Sequence, residues 1–307
     1  MTDLHDQITG KIIEQLEQGT APWRKPWDST NDTPFTIPLN KTTGKYYRGI
    51  NIPLLWLASA EKEYTNHNWG SFKQWAEKKE FVRKGEKATT IVYYDTIERK
   101  KDDKVEKIPF LKMSFVFNQC QLQSYNPDLE IKPDRLDLVT RVENADEFIK
   151  NTQADIRHGG SRACYWMAED YIQMPPTVSF NGTQTQTPTE GYYSTVLHEL
   201  SHWTGHEKRC DRQFGKRFGD SAYAFEELVA EMSSAFLCAE LDITDAPQPD
   251  HASYIGHWLT MLKDDKKAIL TAASAASKAG DCLKAFQSNA LYPGPALIES
   301  SRGISPS

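Results

Sequence analysis

The run STVLHELSHWTGH, residues 194–206, holds the residue types best able to do chemistry in this chain. His198 and His202 stand four positions apart, so on a helix both imidazoles project from one side and can grip one cation. Glu199 between them completes the H-E-x-x-H spacing, which sets a carboxylate beside the cation as general base for amide hydrolysis. Two solvated histidines on a surface helix would explain the spacing but not its neighbours. Val196, Leu197, Leu200 and Trp203 supply an apolar side, as a helix anchored on one face requires.

A catalytic zinc takes three protein ligands and keeps a fourth position open. Gly205 extends the run to HExxHxxG, which resembles the metzincins, but their third histidine would fall at Lys208. His206 is displaced by two positions and lies past the predicted helix end. A better donor is in YAFEELVAEMSSAF, residues 223–236, where Val229, Met232, Ala235 and Phe236 form an apolar side and Glu227 and Glu231 are again four apart. This arrangement resembles the gluzincins, whose second helix supplies a glutamate ligand and, four residues on, an acid that bonds a ligand histidine. The resemblance implies Glu227 as ligand and Glu231 as the residue orienting His198 or His202. Glu226 and Glu231 stay open as alternative ligands. The expected ion is zinc, with manganese or another divalent metal also compatible with a His₂Glu donor set. Such an ion supplies Lewis acidity and a nucleophile at neutral pH, and Glu199 moves the proton to the leaving amine. Tyr193, Tyr223, His251 and His257 are the candidates for stabilising the oxyanion.

The elements that must position these groups follow from periodicity and turn chemistry. Helices are predicted at 3–18, over IPLLWLASAEKEY with Asn51 as cap, over FKQWAEKKE with Ser71 as cap, and near 144–151. Longer ones follow at about 188–204, 222–241, 252–263 and 265–279. ATTIVYYD and IPFLKMSFVF read as strands joined by a charged hairpin, a turn at Thr43–Gly44 precedes a short strand, and strands are predicted near RACYWMA and YIQMP. The fold class is α+β in two domains, at 1–125 and 138–292, with a linker at 126–137 and a disordered tail at 293–307.

Charge divides along the same line. Of 36 Lys+Arg and 42 Asp+Glu, residues 1–120 hold 19 and 16, leaving 17 and 26 for the remainder. The first part is therefore +3 and the rest −9, which points to two jobs. Five of the eight tryptophans fall by residue 75, and basic residues there adjoin aromatics in PWRKPW, GKYYRG and VRKGEK. Single-strand nucleic-acid binders combine a positive groove with aromatic faces on which bases stack. The candidates are Trp23, Arg24, Lys25, Trp27, Lys45, Tyr47, Arg48, Arg83, Lys84 and Lys87, with Trp23 and Trp27 read as an exposed pair. Trp56 is read as core. The five cysteines are odd in number and never in a CxxC, in keeping with a reducing cytoplasm. No run is long and apolar enough for a membrane span, and the acidic start MTDLHDQITG has no secretory pattern.

With both halves read, the chain resembles the ArdC-type antirestriction proteins carried by conjugative plasmids. The likeness rests on APWRKPW, TGKYYRGIN, VRKGEKAT and VFNQCQ, then on YIQMPP, YYSTVLHELSHWTGH, YAFEELVAEMSSAFL and HASYIGHWL. It implies an N-terminal domain that binds single-stranded DNA without strong sequence preference. It also implies a C-terminal zincin-like metallopeptidase domain, with His198, His202 and Glu227 on the metal and Glu199 as acid/base. The expected role is protection of incoming plasmid DNA from the recipient's restriction enzymes. One rival reading is a protease that uses its basic domain to recruit a host protein. The other is a DNA-binding protector whose metal only braces the fold.

Overall fold

The computed structural model describes residues 3–23, 36–101, 104–129, 138–182, 186–213, 221–244 and 251–287. The fold is α+β. Its first half opens with α1 (Leu4–Glu17), whose Ile8, Ile12, Ile13 and Leu16 face inward and whose N-terminus is capped by Asp3. A five-stranded sheet follows in the order β2-β1-β3-β5-β4, built from β1 (Leu39–Asn40), β2 (Lys45–Tyr46), β3 (Asn68–Gly70), β4 (Thr89–Lys101) and β5 (Lys104–Asn118). The β1–β2 turn uses Gly44 at φ +68°, a conformation that suits glycine. Two helices flank this sheet, α2 (Asn51–Glu61) and α3 (Phe72–Glu77).

Ser71 caps α3 in a reciprocal capping box with Gln74. The expected cap of α2 is different. Asn51 is the first helical residue, and its amide bonds both backbone groups of Val92, donating to the carbonyl at 2.7 Å and accepting from the N–H at 2.8 Å. It clamps the helix to β4 instead of closing the helix end.

The second half contains α4 (Leu138–Thr152), a three-stranded sheet and four long helices. The sheet order is β6-β8-β7, from β6 (Asp155–His158), β7 (Cys164–Trp166) and β8 (Tyr171–Met174); β6 runs parallel and β7 antiparallel to β8. The helices are α5 (Pro188–Trp203), α6 (Ser221–Glu240), α7 (His251–Asp264) and α8 (Ala268–Lys284). Strand β6 is absent from the periodicity because Asp155, Arg157 and His158 give it no apolar alternation. Of the predicted linker, residues 130–137 lie outside the described residues, as does the whole tail at 293–307.

The largest apolar cluster takes residues from both halves. Ile8, Ile12, Leu16, Trp23, Trp56 and Val92 pack with Leu228, Met232, Phe236, Trp258, Ile269 and Ala273. Trp23 is 0% exposed and meets Trp258 edge to face at 5.7 Å. Trp56 meets Phe236 in the same manner at 5.8 Å. Polar ties cross as well: Thr9 donates to the Lys266 carbonyl at 2.6 Å and the Gly49 N–H to Ser277 at 2.9 Å. The exposed-stacker reading of Trp23 is thereby corrected. Flanking prolines and basic residues mark a loop, but the loop folds its indole onto a helix more than two hundred positions away.

Trp23→Ala is expected to cost about 3–5 kcal/mol, the range for removing a large buried aromatic. Chemical denaturation of the full chain followed by tryptophan fluorescence measures it. A loss below about 1 kcal/mol would contradict the shared core.

Candidate metal centre

Helix α5 is started by strong local signals. Thr187 accepts the Glu190 N–H, the Glu190 carboxylate returns to the Thr187 N–H, and Pro188 occupies the first turn. Glu190 is also buried against Arg141, whose guanidinium donates to it at 2.6 Å and to the Asp242 carbonyl at 2.8 Å. Burial alone would raise the Glu190 pKa, but the bonds from Arg141, Thr244 and Thr187 outweigh it and bring it to about 2. With the start fixed, Val196, Leu197, Leu200 and Trp203 enter a second apolar cluster with Phe148, Ile172 and Met174. The helical repeat then turns His198 and His202 toward α6.

There the three expected donors converge. His198 Nε2 and His202 Nε2 are 3.2 Å apart, His198 Nε2 is 3.6 Å from Glu227 Oε2, and His202 Nε2 is 3.6 Å from Glu227 Oε1. A tetrahedral ion with bonds of about 2.0–2.1 Å spaces its ligand atoms roughly 3.4 Å apart. The donor set therefore has the spacing of three corners of such a site. Among the described residues it is the one group of three or more potential donors gathered within 4.8 Å. His206 stays outside it, in the turn after α5, where its ring accepts the Lys208 N–H at 3.2 Å.

Glu226 decides which nitrogen of His202 faces the site. Its Oε1 lies 3.2 Å from His202 Nδ1, which leaves Nε2 facing His198 and Glu227, where it could ligate an ion. Arg212 holds Glu226 with two bonds of 2.9 and 2.7 Å and is itself fixed by the Ser201 carbonyl at 2.7 Å and the Thr204 hydroxyl at 2.8 Å. Burial raises the Glu226 pKa, yet the bonds from Arg212 and His202 bring it below the usual carboxylate range. Glu231, buried one turn past Glu227, contributes its charge to His198. The Glu226–Arg212 pair has no signature in the sequence. EELVAE offers three acids, and Arg212, in the turn after α5, pairs with Glu226.

The remaining groups take distinct places. Glu199 is buried and receives the Tyr165 N–H from β7; burial raises its pKa, and His198 and His202 oppose that shift. Burial also pushes up the Glu227 carboxyl, but the charge of His202 and hydrogen bonds from His198 and His202 leave it well below its ordinary value. Tyr193 donates to Asp146 at 2.7 Å, which turns its hydroxyl toward α4. Tyr223 bonds Glu227 and lies 3.2 Å from the Tyr254 hydroxyl, beside the donor set. His257 is partly buried on α7, and the His251 side chain is outside the description.

Neutralising Glu226 with Glu226→Gln is expected to weaken divalent-ion affinity by about 10–100-fold, the usual cost of disturbing a partner behind a ligand histidine. Competition against a chelating dye reads it directly. Unchanged affinity would remove Glu226 from this role.

The nucleic-acid candidates are dispersed by the fold. Lys45, Lys84 and Lys87 are exposed, while Tyr47 is half-buried and within 3.3 Å of the Asn40 amide. Arg48 is paired with Asp281 on α8. Arg83 donates to the carbonyls of Leu122 and Cys120 and to Glu86, so it braces its own loop. Arg24, Lys25 and Trp27 lie outside the described residues. Other aromatics are exposed instead: Tyr46 at 64%, Phe72 at 59% and Phe115 at 50%. Phe72 meets Phe117 edge to face at 6.1 Å, and the alternation of β5 carries that face on to Phe115 and Met113.

Comparison with known proteins agrees with both halves. Residues 2–117 match the N-terminal domain of the anti-restriction factor ArdC, and residues 143–275 match a zincin-like metallopeptidase domain. The uncharacterized y4eC protein of Sinorhizobium fredii is 36% identical over 299 residues, covering 94% of each chain. A DNA primase TraC of Escherichia coli is 37% identical over 303 residues; the match takes in 92% of this chain but only 27% of the primase. The metal-free crystal structure of the antirestriction ArdC protein from plasmid R388 superposes with a TM-score of 0.77 at 40% identity, covering 92% of this chain and 97% of that one. Its Mn(II)-bound structure gives 0.75 at the same identity and covers 98% of that chain.

Proposed function

The chain belongs to the ArdC antirestriction family, and on that premise we propose that it binds single-stranded DNA and shields incoming plasmid DNA from restriction in the cytoplasm. We further propose that it carries a metal-dependent peptidase site. The convergence of His198, His202 and Glu227 at tetrahedral spacing beside Glu199 is the observation that carries the second part. A divalent ion bound there supplies a Lewis acid and a nucleophile at neutral pH. Glu199, buried beside the two histidines, takes a proton from the attacking water and delivers it to the leaving nitrogen. Strand β7 touches Glu199 through the Tyr165 N–H and lies at the edge of its sheet. An extended peptide from a host protein can pair along such an edge.

For DNA, the supporting features are the exposed aromatics Phe72, Phe115 and Tyr46 and the exposed lysines Lys45, Lys84 and Lys87. Similarity to a stretch of a protein named as a DNA primase is in keeping with a DNA ligand. The test uses the full chain, since α1, Trp23 and Trp56 are packed against the second half. Affinity for a single-stranded oligonucleotide is expected to fall linearly with log salt. The Phe72→Ala/Phe115→Ala variant should weaken it at fixed salt by about 1–3 kcal/mol per lost stack. Tighter binding to duplex, or an unaffected double variant, would overturn the single-strand reading.

A further inference from the structure

The hairpin that opens with β7 is pinned beside the metal helix and turns an indole outward. Strand β7 is the outer strand of its sheet. Its Tyr165 ring packs against the apolar cluster that holds Val196, Leu197 and Leu200, so the strand runs past the turn of α5 that carries His198 and Glu199. The Tyr165 hydroxyl donates to Asp170 at 2.8 Å across the hairpin. Arg209 donates to the same carboxylate at 3.1 Å and to the carbonyl of Trp203, the last residue of α5, at 2.6 Å. The hairpin tip is thereby tied to the end of the metal helix.

Side chains alternate along a strand, so Trp166 takes the face opposite to Tyr165. There it is 46% exposed, and the exposed Met167 follows it. The indole lies nearly parallel to the Tyr171 ring of β8, at 11° with centroids 6.2 Å apart. The Arg157 guanidinium of β6 lies over Tyr171 at 4.0 Å and is itself bonded to Asp155 at 2.9 Å. Trp166, Tyr171 and Arg157 thus form a row across the three strands, and the tryptophan stands at the β7 edge. This row is separate from the core, because Ile172 and Met174 occupy the other face.

We propose that Trp166 is the specificity-determining residue of the peptidase site, selecting an aromatic side chain on an extended peptide that pairs along β7; this rests on the peptidase reading above. A peptide residue opposite Trp166 puts its side chain on the same face, with Cβ atoms about 4.5–5.5 Å apart. Two aromatic rings at that spacing pair offset or edge to face. Tyr171 and Arg157 already order the indole, so binding has to order only the ring of the peptide.

The experiment gives the Mn(II)-loaded full chain a mixture of unfolded peptides from a digested proteome and reads the cleavage sites by mass spectrometry. Phe, Tyr and Trp should be enriched at one fixed position near the cut. Trp166→Ala should lose that enrichment and raise KM for an aromatic-bearing peptide by roughly 3–10-fold, with kcat little changed, whereas Trp166→Phe should keep the preference. Ion content should match wild type, because Trp166 contributes no donor. A second readout needs no turnover. Saturation-transfer NMR on the Glu199→Gln chain should show a phenylalanine-bearing peptide binding more tightly than its alanine counterpart, and adding Trp166→Ala should remove the difference. Cleavage without an aromatic preference, or a preference that survives Trp166→Ala, would overturn this assignment and leave the peptidase reading standing. Absence of all cleavage, with Trp166-dependent binding kept, would remove the peptidase reading alone.

Discussion

The His198→Ala/His202→Ala variant should bring divalent-ion content from about one per chain to background. Two of three donors are removed, and the remaining carboxylate of Glu227 has no tetrahedral partner set. The same change removes what balances the buried acids. His202 receives the charges of Glu227 and Glu226, and these raise its pKa well above the ordinary value against the effect of burial. Without the ring, Glu226 keeps Arg212, but Glu227 loses both imidazoles. The variant is therefore expected to be less stable as well as metal-free, since a buried charge stripped of its partners costs several kcal/mol. Elemental analysis of the dialysed protein, with circular dichroism to confirm that it folds, decides the matter. Wild-type ion content in a folded double variant would place the metal elsewhere.

Glu199→Ala should divide the two proposed activities. Glu199 contributes no donor to the ion site and lies in the second half, away from Phe72, Phe115 and Lys45. Ion content and oligonucleotide affinity are expected to match wild type, while any peptide hydrolysis falls by about 10²–10⁴-fold through loss of the proton carrier. Glu199→Gln, which keeps the side-chain shape, should do the same and controls for the small cavity left by alanine. Occluding DNA from a nuclease breaks no peptide bond, so protection of incoming DNA should survive in both variants. Full loss of protection at matched protein levels would make proteolysis of a host protein the mechanism.

The metal helix was legible because its signals are local. Thr187, Pro188 and Glu190 start it, four apolar residues anchor it, and the spacing of His198 and His202 lies within a little more than one turn. The apolar face of α6 is local as well, whereas the choice of Glu227 among three acids came from the resemblance to a gluzincin second helix. Features that depend on distant partners were not legible. Trp23 looks solvent-facing until Trp258 is brought to it, and Asn51 looks like a helix cap until β4 arrives. Choosing between Glu226 and Glu231 as partner of His202 needed the position of Arg212, in a turn whose sequence carries no metal-site pattern.

The seam between the halves also bears on inheritance. A crossover between residues 117 and 143, the gap separating the two matched family regions, looks harmless on a sequence map. It would nonetheless pair the α1, Trp23 and Trp56 of one lineage with the Phe236, Trp258 and Ala273 of another. Interdigitated side chains of this size tolerate little mismatch. Genetic exchange should therefore move the whole unit intact, and the match of nearly the whole chain to a part of a much longer primase is in keeping with that.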